Sequence, residues 1–273
     1  MKFSWFIRFA TAIALMAGLA IPAQGATIRF QSDATEKKWS ARISGELLTP
    51  AGNGPFPLVI FLHTCGGLND LNRQSVGAHA LALRTAGFAT FVIDSFGARG
   101  MTGGKACGKD LALTAIRFML DDAFNARELL TQRDEIESGK AFLVGQSLGA
   151  TAAVRAAAQG LHTRSPAFDA VVAYYPSCLV PSQGGPLLSP LLIFGAGNDD
   201  WLPIGNCVKA KDRGWLTGKE YDLVVYAKAL HGFDQPRAKY RYRGHWLGYD
   251  ADAAADSRKR MVQFFEKHRG TAE

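Results

Sequence analysis

Residues 141–149 read Ala-Phe-Leu-Val-Gly145-Gln146-Ser147-Leu148-Gly149, an apolar strand pattern running straight into Gly-x-Ser-x-Gly. Ala150 to Ala158, rich in helix formers, follows at once. A serine between two glycines at a strand-to-helix junction demands a sharp turn, because side chains at the flanking positions would collide with neighbouring elements. This junction constrains the fold more than any other segment, and it names Ser147 as a candidate nucleophile.

The surrounding pattern is an alternation of strands and helices. Trp39 to Thr49 reads as an early strand, and Pro57 to His63 as a near-continuous apolar strand of the kind covered on both faces. Gly87 to Asp94, Lys140 to Gly145, Asp169 to Tyr175, Pro190 to Phe194 and Tyr221 to Tyr226 continue the series. Between them, Asp110 to Gln132 carries Leu113, Ile116, Leu120, Ala123 and Leu130 at helical period, with Asp110 placed to cap it. A last helix, Ala251 to His268, buries Met261, Phe264 and Phe265. Such alternation predicts an α/β fold with a doubly wound, mostly parallel sheet and helices on both faces. Ligands of such sheets bind beyond the carboxyl ends of the strands.

At 273 residues and 48% hydrophobic, the chain suits one α/β domain. The expected domain is 26–273, because residues 1–25 have another character. Lys2 and Arg8 precede an apolar run from Phe9 to Ile21, too short to span a bilayer, and small residues then offer a cleavage site after Gly25 or Ala26. This is the pattern of a cleavable signal peptide and predicts a periplasmic or secreted protein, with no stable membrane insertion after cleavage. The formal charge of +7 falls to about +5 without Lys2 and Arg8. Its one concentration is Arg237-Ala-Lys239-Tyr-Arg241-Tyr-Arg243, read as a solvated loop face, with attraction to acidic substrates as the lesser reading. No nucleic-acid fold signature accompanies it, so nucleic acid is not an expected partner. Four cysteines, Cys65, Cys107, Cys178 and Cys207, favour two disulfides in an oxidising compartment, and their spacing does not suit zinc.

A serine hydroxyl needs a base to take its proton and an acid to orient that base. On a strand–elbow–helix scaffold the order is Ser, Asp or Glu, then His. Asp199 and Asp200 both follow the strand ending at Phe194, and Asp199 is preferred for its four-residue spacing to Pro203. Among the later histidines, His231 follows a strand and precedes Gly232-Phe233, whereas His245 follows the basic loop and His268 ends the last helix. His231 is therefore the expected base. The oxyanion donors are expected to be the amides of Leu148, directly after the nucleophile, and Cys65, in the loop after the strand ending at His63. His63 itself is expected to face the core. No cofactor or metal is implied.

These residues, with His63-Thr-Cys-Gly-Gly67, Asp94-Ser-Phe-Gly-Ala-Arg-Gly100, Tyr175-Pro-Ser-Cys178, Asp199-Asp-Trp-Leu-Pro203 and His231-Gly-Phe-Asp234, resemble the dienelactone hydrolase family of the α/β-hydrolase fold. The resemblance covers almost the whole mature chain and implies the same triad, Ser147, Asp199 and His231. It also implies that Cys178 pairs with Cys207, which leaves Cys65 with Cys107. Two features depart from the family. Its dienelactone-cleaving members use a cysteine nucleophile with a nearby glutamate, where this chain has Ser147 and Thr64. They hold a substrate carboxylate with two arginines, for which Arg99 falls one residue off the first position and Gln235 occupies the second, with Arg237 two residues beyond. Arg99 is thus a candidate substrate-binding residue or a brace for its own loop.

The expected activity is hydrolysis of a small carboxylic ester or lactone through an acyl-enzyme. A peptidase or amidase on the same triad, and a non-catalytic envelope binding protein on a hydrolase scaffold, are the alternatives.

Overall fold

The computed structural model describes residues 25–158, 164, 166–178, 186–214 and 217–270. The expected signal peptide lies outside the described residues, apart from Gly25. Among the described residues no helix is long and apolar enough to cross a membrane.

Eight strands form one sheet: β1 (Gly25–Ser32), β2 (Ala41–Leu48), β3 (Phe56–Leu62), β4 (Ala89–Asp94), β5 (Ile136–Gln146), β6 (Val171–Tyr174), β7 (Leu191–Ala196) and β8 (Tyr221–Tyr226). Their order is β1-β2-β4-β3-β5-β6-β7-β8. The first two pairings, β1 with β2 and β2 with β4, are antiparallel, and every later one is parallel. The five main helices are α1 (Asp70–Thr85), α2 (Lys109–Leu130), α3 (Leu148–Ala157), α4 (Gly205–Asp212) and α5 (Ala251–His268).

The continuous apolar run of β3 has a direct cause. Leu58, Ile60 and Leu62 point into one core, shared with α2 and α3, while Val59 and Phe61 point into a second, shared with α1 and α5. Ala141 and Leu143 of β5 face the first core, Phe142 and Val144 the second. A strand buried on both faces needs apolar side chains at every position.

Several details differ from the pattern-based expectations. Strand β1 and helices α1 and α4 carry too little apolar periodicity to be read. The buried face of α1 includes Asn72, Ser75 and His79 beside Val76, Ala80 and Leu83. Its start is set by Asn69, whose side chain accepts from the Asn72 amide at 3.0 Å. Helix α2 is capped not by Asp110 but by the extended residue Gly108, with Asp110 inside the first turn. Asp250 caps α5 by accepting from the Ala253 amide. The basic segment expected to be a solvated loop is a β-hairpin, β9 (Tyr240–Tyr242) with β10 (His245–Leu247).

Candidate active site

Strands β3, β4, β5, β6, β7 and β8 all end at one edge of the sheet, and the loops that follow them build the site. Ser147 sits between β5 and α3 with φ 53° and ψ −111°, a backbone conformation that L-residues rarely adopt. The flanking glycines make this possible. A Cβ on Gly145 would strike the backbone of Gly149, and one on Gly149 would strike the carbonyls of Leu62 and His63. Strand and helix therefore meet at a distance only glycine allows, and the serine is pushed out of the sheet edge.

Asp199 and His231 arrive from separate loops. His231 Nε2 lies 2.9 Å from Ser147 Oγ, and His231 Nδ1 lies 2.7 Å from Asp199 Oδ2. The other carboxylate oxygen of Asp199 accepts the amides of Trp201 and Leu202, which holds the acid rigidly toward the ring. All three side chains are buried. Asp200, next in the chain, turns the other way. It accepts the Trp246 amide at 3.1 Å and pairs with His245, tying the acid loop to the hairpin.

Leu148 is the first residue of α3, so its amide has no acceptor within the helix. Cys65 lies across the same cleft, and both residues border Ser147. The Cys65 loop is braced by Thr64, whose hydroxyl accepts from Asn72 Nδ2 and from the Gly66 amide. His63 is fully buried beneath this loop. Its Nδ1 meets the Thr64 carbonyl at 2.8 Å and its Nε2 accepts the Ser95 amide, so the ring is held neutral. Burial pushes its pKa below the ordinary histidine value, against the pull of the Thr64 carbonyl.

A second polar cluster, with no counterpart in the sequence reading, underlies the site. Asp234, three residues after His231, is buried. Its Oδ2 accepts from Ser75 Oγ, His79 Nε2 and Gln146 Nε2, and its Oδ1 from the Tyr175 hydroxyl at 2.6 Å. Burial works against the charge, but the bonds from His79, Tyr175 and Gln146 prevail and hold the carboxyl below its usual range. Tyr175 then meets the His231 ring edge to face, centroids 4.8 Å apart. One carboxylate thus joins α1, Gln146 before Ser147, the end of β6 and the histidine loop. The His-Gly-Phe-Asp motif contained the signal, since an acid beside an apolar loop residue needs buried partners.

The hairpin roofs the cleft. Cross-strand partners share a face, so Tyr240 and Leu247, with Tyr242 and His245, form its inner side, and Lys239, Arg241 and Trp246 its outer side. His245 stacks on Trp201 at 5.1 Å, and Trp201 lies 5.2 Å from the His231 ring. Arg243 donates to the Gly104 carbonyl, and Tyr242 fits against Gly104, where a Cβ would block it.

Arg99 corrects the expectation of a substrate contact. Its guanidinium turns inward, donating to both oxygens of Asp122 at 2.7 and 2.8 Å, to the Trp39 carbonyl and to the Ser95 carbonyl. It packs over the Phe118 ring, and its side chain is 2% exposed. With its donors engaged beneath the loop it has nothing to offer a ligand, and it braces that loop against Asp122. The loop after β4 reaches the cleft instead through Gly103, Gly104 and Cys107. Disulfides join Cys65 to Cys107 and Cys178 to Cys207. The first clamps the Cys65 loop to the loop after β4.

Comparison with known proteins follows the same outline. A dienelactone hydrolase from Anabaena variabilis ATCC 29413 superposes with a TM-score of 0.63 at 20% identity, covering 90% of this chain and 98% of that one. A dienelactone hydrolase-like promiscuous phosphotriesterase from metagenomic libraries gives 0.66 at 19% identity, covering 90% and 98%. Esterase 2 of Thermogutta terrifontis, phosphoramylated by tabun, gives 0.61 at 13% identity, covering 89% and 94%. At these identities the likeness establishes the α/β-hydrolase fold. No curated protein sequence matches the chain. The family model for dienelactone hydrolases matches residues 43–269, a span from within β2 to just past α5 that takes in the elbow, the acid loop and the histidine loop. On that match, the chain belongs to the dienelactone hydrolase family.

Proposed function

We propose that this protein is a serine hydrolase that cleaves carboxylic esters or lactones through an acyl-enzyme, with Ser147, His231 and Asp199 as its triad. The observation that carries the proposal is the unbroken chain Ser147 Oγ to His231 Nε2 at 2.9 Å and His231 Nδ1 to Asp199 Oδ2 at 2.7 Å, buried at the edge of a cleft. Ser147 Oγ attacks the ester carbonyl as its proton passes to His231 Nε2. Asp199 keeps the ring oriented and stabilises the imidazolium. The carbonyl oxygen becomes an oxyanion facing the amides of Leu148 and Cys65. The C–O bond to the alcohol then breaks, and the departing oxygen takes the proton from His231. Water, deprotonated by His231, attacks the acyl-enzyme, and the acid leaves as Ser147 regains its proton.

The family's hydrolase character and the serine at the elbow support this reading, as does a named esterase among the structural neighbours. A covalent serine-hydrolase probe should label the wild-type protein and not Ser147→Ala. Equal labelling of both would refute the assignment.

The chain is further proposed to be exported, with residues 1–25 as a cleaved signal peptide and 26–273 as one domain. Two disulfides suit an oxidising compartment. Cleavage after Gly25 or Ala26 keeps the β1–β2 pairing from Thr27 onward. N-terminal sequencing of the mature protein should begin at Ala26 or Thr27.

A further inference from the structure

Ser147 stands where two differently lined cavities meet. The Cys65–Cys107 disulfide, Ser147 and Trp201 border both of them. One, of about 430 Å³, is walled by Ala106, Ala112, Leu113, Ile116, Leu148 and Leu202. Lys109 and Arg155 also border it, and their long aliphatic stems are surfaces along which a chain can pack. The other, of about 370 Å³, lies under the hairpin and is lined by Tyr240, Tyr242, Gln235 and Arg237, with Asn69 and Asn72. Neither lining includes an acidic side chain.

The position of the base tells the two halves apart. His231 borders the cavity under the hairpin and not the apolar one. In ester cleavage the departing oxygen must receive its proton from His231 Nε2, so the alcohol belongs on the side His231 faces. The acyl arm must then extend the other way, past Leu148, into the apolar cavity. The walls of the alcohol side are aromatic and polar. Gln235 Nε2 and the Asn72 amide group are spent on each other and on the Cys65 loop, while Arg237 and the hydroxyls of Tyr240 and Tyr242 line the cavity and can meet a ligand. Arg237 is held 4.0 Å over the Tyr240 ring, and among the described residues no carboxylate pairs with it. A guanidinium that only donates, beside hydroxyls that both donate and accept, suits an alcohol rich in oxygen.

We propose that Ser147 divides the cleft into an acyl half and an alcohol half, and that the substrate is an ester joining an apolar acyl chain to a polar, oxygen-rich alcohol. This rests on the serine-hydrolase reading above. The hairpin, whose basic sequence gave no sign of a role, supplies through Tyr240 and Tyr242 the wall that selects the alcohol.

The test is kcat/KM across acetate, butyrate, hexanoate and octanoate esters of one alcohol, and across alkyl and sugar acetates. Each added acyl methylene should raise kcat/KM by up to about fourfold until the apolar half is filled, the value of a fully buried CH2. Leu113→Glu should cut the octanoate-to-acetate ratio by about tenfold, since it sets a charge in the apolar half. Leu81→Glu, at an exposed position of α1 outside the cleft, should leave that ratio intact. Sugar acetates should outperform alkyl acetates, and Tyr240→Ala should narrow the gap. If the chain-length gain appears on the alcohol side, or on neither side, the division of the cleft is wrong while the hydrolase reading stands. If no ester is turned over and Ser147 takes no covalent probe, the hydrolase reading itself falls.

Discussion

Two buried aspartate–histidine pairs lie within a few residues of each other, and they have the same separation. Asp199 meets His231 at 2.7 Å, and Asp234 meets His79 at 2.7 Å. They differ in what lies beyond the ring. The second nitrogen of His231 faces Ser147 and the cleft, whereas that of His79 faces the Tyr174 hydroxyl at 3.4 Å inside the second core. The first pair can pass a proton to a reacting group. The second has no path outward, so its hydrogen bonds can only hold structure together. An Asp–His contact is therefore no sign of catalysis by itself; the environment of the distal nitrogen decides its role.

The sharpest way to break this contrast is substitution at each pair. If the proposed triad acts as a unit, Ser147→Ala and His231→Ala should each lower kcat by on the order of 10⁴-fold or more. Asp199→Asn should cost roughly 10⁴-fold by losing the correct ring tautomer, with an unchanged melting temperature within about 2 °C. Residual activity near wild type in any of these would end the triad assignment.

Asp234→Ala should show the opposite profile. Removing one partner of a buried pair costs about 3–5 kcal/mol, since His79 and three other donors lose their acceptor. For a chain of this size that is a fall in melting temperature of roughly 10 °C. Activity per folded molecule should drop far less than for Asp199→Asn. A loss confined to kcat, with stability intact, would make Asp234 part of the chemistry and erase the distinction.

The sealed groups also set a pH dependence. Asp234 is held below its ordinary value, so its stabilisation is complete above about pH 4 and is lost as pH falls through its folded value. His63 is buried neutral with a lowered pKa, so its contribution is complete above about pH 6.5 and is lost as pH falls below that. Urea midpoints should therefore decline from about pH 6.5 downward, with a second decline below about pH 4. Asp234→Asn should shrink the second decline and leave the first, because Glu135, Glu220 and Asp256 are also held below their ordinary values.

The smallest expected effect is at Asp200. Its side chain is 45% exposed and touches the hairpin rather than His231. Asp200→Asn should change kcat/KM by no more than about threefold, within the modest worth of an exposed contact. A loss comparable to Asp199→Asn would show that the wrong acid had been chosen.

Much of the scaffold was legible because it depends on local pattern. The run Leu58 to Leu62 must be apolar at every position to lie between two cores, and Gly145 and Gly149 must lack side chains for β5 to turn into α3. The stripe of α5, with Met261, Phe264 and Phe265, repeats at helical period, so its whole span could be read. Helix α1 was hidden because half of its buried face is polar. Ser75 and His79 are inside only because Asp234, some 155 residues away in sequence, meets them there.

The sequence by itself determined that the chain would wind strands and helices into a parallel sheet with a serine forced out at its edge, since period and glycine spacing act over a few residues. Tertiary structure alone decided the partners. Arg99 was drawn to Asp122 and away from the cleft, Asp234 was buried with His79, and the basic segment folded over Ser147 as a hairpin. The physical reason is that charges and hydrogen-bonding groups find their partners through space. Their energies depend on which loops converge and how much water remains between them, and neither is written in any short stretch of residues.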